Sequence, residues 1–184
     1  MVGPSGNIIL YFLIFIFIYN NLKIVHCPIF VMGNLVIPAP KTGKELTNSE
    51  VRAIIKEKLR ITDNTRINLF DGRYYAISLE DLKLFLTFDF SDMVKYKKEI
   101  FDCDDFAYLL LGRQRLWHAK LNLNLASTFG MVIGDIRTSE ESQKPRGHAM
   151  NFIITPDKEL YLVEPQTDNI YKPTSNSTFS LALC

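Results

Sequence analysis

Cys103 is the residue of this sequence best placed to act as a nucleophile. It lies in the run Phe101-Asp102-Cys103-Asp104-Asp105-Phe106-Ala107, where Asp102 is a typical helix N-cap. The N-terminus of a helix carries unpaired N–H groups and roughly half a positive charge, which favours the thiolate, the attacking form of cysteine. We therefore expect a helix from Phe101 to Lys120, with Cys103 in its first turn on the face of Ala107.

His148 is positioned to be the base that takes the proton of this thiol. It opens an apolar strand, His148 to Thr155, directly after a polar loop from Thr138 to Arg146. A histidine at a strand edge can project into a cleft, and the neutral ring accepts the thiol proton. A third group then has to hold the other ring nitrogen.

Glu164 supplies that third group. It ends a second strand, Glu159 to Glu164. A three-residue turn between the strands would place Thr155 opposite Glu159 and His148 opposite Gln166, with Glu164 at diagonal distance on the face of His148. A turn of two or four residues would put Glu164 on the other face, so the triad predicts the turn length.

Two residues near the histidine are candidates for supporting roles. Gln166 lies opposite His148 in the expected register, and Asn151 is the alternative partner for the ring. Because Asn151 follows the histidine by three residues, we expect it on the opposite face of the strand. Asp104 and Asp105 disfavour the thiolate unless a cation offsets their charge, so we expect a cation beside Cys103.

The surrounding pattern predicts an α+β fold, with helices followed by an antiparallel β-meander. Thr47 and Glu50 form a capping box at the start of the first helix, and Ser78 starts another. Strand-like runs flank the turn Asp71-Gly72, and a further strand is expected within Ala126–Ile136. The Asn-, Ser- and Thr-rich stretch from Thr167 predicts an irregular tail.

Composition and charge narrow the function. The chain has 184 residues, of which 47% are hydrophobic, and its net charge is +1. This length suits one domain, and the nearly balanced charge produces no overall field that would favour nucleic acid or an anionic membrane. Three cysteines, Cys27, Cys103 and Cys184, make no disulfide framework.

Residues 1–38 form a hydrophobic leader that we separate from the domain at 39–184. Its apolar run, Ile8 to Tyr19, is shorter than the roughly 20 residues that a membrane-spanning helix needs. Three interpretations stay open: an export signal or anchor, translation from a start upstream of Met32, and a part of the fold. The protein is secreted or anchored if the leader is real, and otherwise cytoplasmic or virion-associated. If the leader is retained, we expect membrane contact through residues 8–19 alone.

The motifs Asp-Cys-Asp-Asp-Phe-Ala, Gly-His-Ala-Met-Asn and Glu-Pro-Gln-Thr together resemble the C-terminal domain of the Marasmius oreades agglutinin family, over roughly Leu46 to Pro173. The resemblance implies a papain-like fold, a triad of Cys103, His148 and Glu164, and a calcium-dependent cysteine protease acting on a peptide or protein substrate. It implies calcium at Asp104 and Asp105, and it allows a homodimer. The family's β-trefoil lectin domain finds no room before residue 46, so we do not expect carbohydrate binding.

Three other functions compete with the thiol hydrolase. NlpC-like cell-wall peptidases or amidases also place Asp-Cys at a helix start, but with Ser-Gly where this chain has Asp104-Asp105. A transglutaminase-like acyl transferase uses a similar triad. A non-catalytic virion or dimerisation module could retain the motif without turnover.

Overall fold

The computed structural model describes residues 43–61, 65–121, 123–137 and 146–184, and these residues form a mixed α+β fold. The helices are α1 (Asn48–Lys58), α2 (Leu79–Phe88), a short 3-10 helix (Ser91–Met93) and α3 (Cys103–Ala119). The strands are β1 (Gly43–Thr47), β2 (Arg66–Asn68), β3 (Arg73–Ile77), β4 (Ala126–Ser127), β5 (Phe129–Ile136), β6 (Arg146–Ile154), β7 (Leu160–Val163), β8 (Ile170–Tyr171) and β9 (Thr178–Leu183).

The strands form two sheets. The smaller has the order β1-β3-β4, and the larger has the order β2-β9-β5-β6-β7-β8. Strands β5 to β8 are consecutive antiparallel neighbours, as the predicted meander requires. The coarse α+β prediction is therefore confirmed.

The strand-like runs predicted around Asp71-Gly72 are β2, which pairs with β9, and β3, which pairs with β1 and β4. One detail of the predicted architecture is wrong. The tail is not irregular, because β9 lies between β2 and β5 in the large sheet. Its first four residues, Thr-Phe-Ser-Leu, alternate polar and apolar side chains, a strand pattern that the polar residues before it obscured.

The helices begin where the capping residues predict. At the start of α1, the Glu50 N–H donates to Thr47 Oγ1 (3.3 Å) and the Thr47 N–H donates to Glu50 Oε2 (2.9 Å). Ser78 caps α2 through the Asp81 N–H (3.1 Å). Each such cap is worth about 1 kcal/mol.

From Ala149 to Ile154, strand β6 is buried on both faces, and this places α3. Its residues Met150 and Phe152 pack in a core cluster with α1, whereas Ile153 packs with α2 and α3. Residues that alternate along a strand point to opposite faces, so the buried part of β6 is apolar on both faces except at Asn151. The strand that carries His148 is thereby fixed between the two layers.

The predictions for the leader, residues 1–38, and for most of the polar loop, residues 138–145, lie outside the described residues. Within the described ranges, no helix is both long and apolar enough to cross a membrane.

Candidate functional site

Cys103 is the first residue of α3, as the sequence predicts. Asp102 is its N-cap, and the Asp102 N–H donates to Asp105 Oδ2 (3.1 Å) at the helix start. The Cys103 side chain is half-buried and packs against a small cluster of Ala107, Met131 and Ala149. The thiol therefore lies at the positive end of a 17-residue helix and stays accessible.

His148 and Glu164 are in direct contact. His148 Nε2 lies 2.7 Å from Glu164 Oε2, and their side chains are 20% and 12% exposed. The hairpin has the predicted register, because the Thr155 N–H donates to Glu159 O (2.9 Å) across a three-residue turn. The alternation of side chains along a strand and the length of the turn are therefore sufficient to predict the contact between His148 and Glu164.

The Glu164 carboxylate is held from a second side. Its Oε1 accepts from the Gln166 N–H (3.4 Å), and its backbone carbonyl accepts from Thr167 (3.2 Å) and Asp168 (2.9 Å). Gln166 thus supports the site through its backbone. The tight turn fixes Glu164 before any ligand binds, which is the preorganisation that an orienting carboxylate needs.

Asp168, which closes this turn, is an unusual carboxyl group. Burial, reinforced by the charges of Asp92 and Asp89, raises the pKa of Asp168 to about 7. Asp89 in turn is buried and pairs with Arg113 of α3. The turn that carries Glu164 therefore contains a carboxyl that ionises near neutral pH.

Asn151 does not contact His148. Its side chain is fully buried, and its Nδ2 donates to Ala107 O (3.0 Å) and Gly130 O (3.2 Å). Asn151 therefore ties α3 to β5 and β6, and it points away from His148, as its three-residue spacing predicts.

Cys103 and His148 line one cleft of about 470 Å³. Other polar groups at its wall are Asp104, Asp135, Thr178 and Ser180. No hydrogen bond joins the Cys103 thiol to the His148 ring among the described residues. The histidine–glutamate pair is thus formed, and the thiol faces the same space without being bonded to it.

A cavity of the same volume, about 470 Å³, lies beside Asp71, Arg73 and Asn124. It contains none of the predicted site residues and is lined by neither a thiol nor a histidine. We therefore place the candidate site in the Cys103 cleft.

The acidic residues beside the thiol differ in their roles. Ligand atoms of Asp102, Cys103 and Asp104 lie within 4.8 Å of one another. A hydrogen bond between the two carboxyl groups raises the pKa of Asp104 and lowers the pKa of Asp102. Asp105, the other expected calcium residue, instead accepts a hydrogen bond from the Asp102 N–H. The acidic partner of Asp104 is therefore Asp102, which the sequence prediction did not include. Its position as N-cap, directly before Cys103, is the signal that could have identified it.

The chain matches the agglutinin C-terminal family over residues 74–170, more than half of its length. The protein therefore belongs to this family, as the sequence motifs indicated. No curated protein is significantly similar to it.

Solved structures similar to this fold include the two that follow. One is the PSL1a-E64 complex, with a TM-score of 0.65 and 20% identity, covering 76% of this chain and 51% of that one. The other is the Polyporus squamosus lectin bound to the human-type influenza-binding epitope Neu5Aca2-6Galb1-4GlcNAc, with a TM-score of 0.62 and 21% identity, covering 76% and 49%. This chain spans about half the length of these proteins.

The expectation of a cysteine peptidase-like hydrolase is wrong. The family match is to an agglutinin domain, and the similar structures include a lectin. A Cys-His-Glu set on a suitable scaffold does not fix an activity, because one fold carries many functions. The hydrolase activity and the peptide substrate find no support here, and the comparisons do not establish the papain-like form of the fold.

Proposed function

We propose that this domain is an agglutinin-type binding module whose Cys103 cleft holds a small electrophilic ligand, with the thiol forming a covalent adduct. The observation that carries this proposal is the His148–Glu164 pair (2.7 Å) at the cleft that also exposes Cys103. A binding module agrees with the family match. Adduct formation would involve Cys103 and His148, the two reactive side chains that line the cleft.

Each member of the set has a defined part in adduct formation. The Cys103 sulfur forms a bond to an electrophilic carbon of the ligand, and the thiol proton passes to the His148 ring. Glu164 orients the ring and stabilises its charged form. With an epoxide as ligand, the carbon–oxygen bond breaks and the released oxygen takes up that proton, so atoms and charge balance.

We also propose that the domain has a papain-like scaffold. The support for this is that α3 begins at the Cys103 thiol and packs against β6, the strand that carries His148, as expected of such a scaffold. Asn151 and Ala107 connect these two elements directly.

Adduct mapping tests the proposed function. The full chain, with Cys27 replaced by serine, is incubated with E64, and the modified residue is identified by mass spectrometry. We expect one adduct on Cys103 and none in C103S. Cys184 is the internal control, because complete burial raises the pKa of its thiol to about 12. No adduct in the parent chain, or an equal yield in C103S, would refute the proposal.

We also propose that Asp102 and Asp104 bind calcium. Their carboxyl groups are close enough to share a proton, a crowding that a divalent cation relieves, and calcium takes carboxylate oxygens. The sulfur is a poor calcium ligand, so we assign the two carboxylates alone.

Calcium should therefore stabilise the folded chain. At a calcium concentration 100 times the dissociation constant, the expected gain in unfolding free energy is about 2.7 kcal/mol. D104N should lose most of this gain, whereas D135N, which alters an acid of the same cleft outside the cluster, should keep it. Thermal melting with calcium and with chelator measures the difference. Equal gains in D104N and the parent chain would count against these ligands.

A further inference from the structure

Residues 93–100, which we call the basic loop, expose large apolar side chains. Met93 is 66% exposed, Tyr96 is 50% exposed and Ile100 is 74% exposed. Together with Phe90, these are four of the eight exposed large hydrophobic residues among the described ones. Such a concentration on a short segment marks an interaction surface more often than chance exposure does.

The basic loop is closed by its own hydrogen bonds. The Lys97 N–H donates to Phe101 O (2.9 Å), the Phe101 N–H donates to Lys97 O (2.8 Å), and the Ile100 N–H donates to Lys97 O (3.0 Å). Glu99 adopts a left-handed φ of 60° at the tip. These hydrogen bonds hold Ile100 in an exposed position, and burying its side chain would require the turn to open.

An aromatic contact anchors the end of the loop to α3. The Phe101 ring packs edge-on against Phe106, with 4.7 Å between the ring centroids. Asp102 and Cys103 follow immediately. Any surface that the basic loop binds therefore lies next to the Cys103 cleft.

The loop is also basic. It carries Lys95, Lys97 and Lys98 against one acid, Glu99, and all four are exposed. Within the described part of the chain, none of the three lysines forms an ion pair. Their charges are therefore available to a partner of opposite charge.

We infer that the basic loop docks on the surface of an anionic lipid membrane. Lysine side chains reach headgroup phosphates while their methylene stems and neighbouring apolar residues enter the boundary with the acyl chains. A protein partner would need about 800 Å² of matching surface on each side, or roughly 20–30 residues, more than this short loop contains. The lysines alone would predict only a solvated face, and the three apolar side chains between and beside them change that interpretation.

Flotation with lipid vesicles tests the inference on the full chain. Vesicles contain phosphatidylcholine alone or phosphatidylcholine with phosphatidylserine. Two loop variants, K95Q/K97Q/K98Q and M93S/Y96S/I100S, are compared with matched controls elsewhere on the surface. K44Q/K83Q/K120Q removes the same charge, and F70S/Y108S/L116S removes three similarly exposed apolar side chains.

We expect the loop lysine variant to lose about a hundredfold in partitioning to phosphatidylserine vesicles. The loop apolar variant should lose at least tenfold, and both controls should stay within about threefold of the parent chain. Any contribution of residues 8–19 is common to all variants and persists on phosphatidylcholine alone. Equal binding to the two vesicle types, or equal losses in loop and control variants, would overturn the inference.

Discussion

Alkylation of Cys103 at pH 6.5 is expected to slow about a hundredfold when His148 is replaced by alanine. A free thiol, which titrates near pH 8.5, is only about 1% thiolate at that pH, whereas a thiol that can pass its proton to a neighbouring histidine is largely reactive. The His148 ring is held for this task by Glu164 at 2.7 Å. Iodoacetamide labelling, followed by mass spectrometry, measures the rate.

Two further variants make this result specific. E164Q keeps the shape of the orienting side chain without its charge, so its labelling rate should fall between those of the parent chain and H148A. H118Q is the matched control, because His118 is buried elsewhere and its Nε2 bonds to Leu125 O (2.9 Å). A parent-like rate in H148A would show that the histidine does not act on the thiol.

Replacing Asp89 with alanine is expected to lower the free energy of unfolding by about 3–5 kcal/mol. The Asp89 side chain is fully buried and pairs with Arg113, and its second oxygen accepts from the Ser91 N–H (2.8 Å). Removing the carboxylate leaves a largely buried guanidinium without this partner and releases the 3-10 helix from α3. Equilibrium unfolding in guanidinium chloride measures the loss.

The exposed pair Arg73–Glu45 provides the control for Asp89. Its side chains are 61% and 46% exposed, so E45Q should change the unfolding free energy by at most about 1 kcal/mol. A loss below about 1 kcal/mol in D89A would mean that the buried pair is not a principal support of α3.

The local parts of the site could be predicted from the sequence because they depend on short-range rules. The three-residue turn and the two-residue period of strands fix the contact between His148 and Glu164. The N-cap at Asp102 fixes the start of α3, and thus the position of Cys103. Neither prediction depends on how segments distant in the sequence pack against each other.

The features that escaped prediction depend on distant parts of the chain. β9 is recognisable as a central strand only from its pairing with β2 and β5, which lie far away in sequence. Asn151 reads as a candidate site residue until its buried bonds to Ala107 and Gly130 are seen. The activity does not follow from the three side chains or from the fold, because one fold can carry many functions.

The rate of Cys103 alkylation in the folded chain tests the central claim most directly. The full chain with Cys27 replaced by serine is labelled with iodoacetamide at pH 6.5, and the unfolded chain serves as reference. The proposal predicts that Cys103 is labelled about tenfold or more faster in the folded chain than in the unfolded reference, because His148 takes up the thiol proton. A folded-chain rate equal to or below that of the unfolded reference would contradict it.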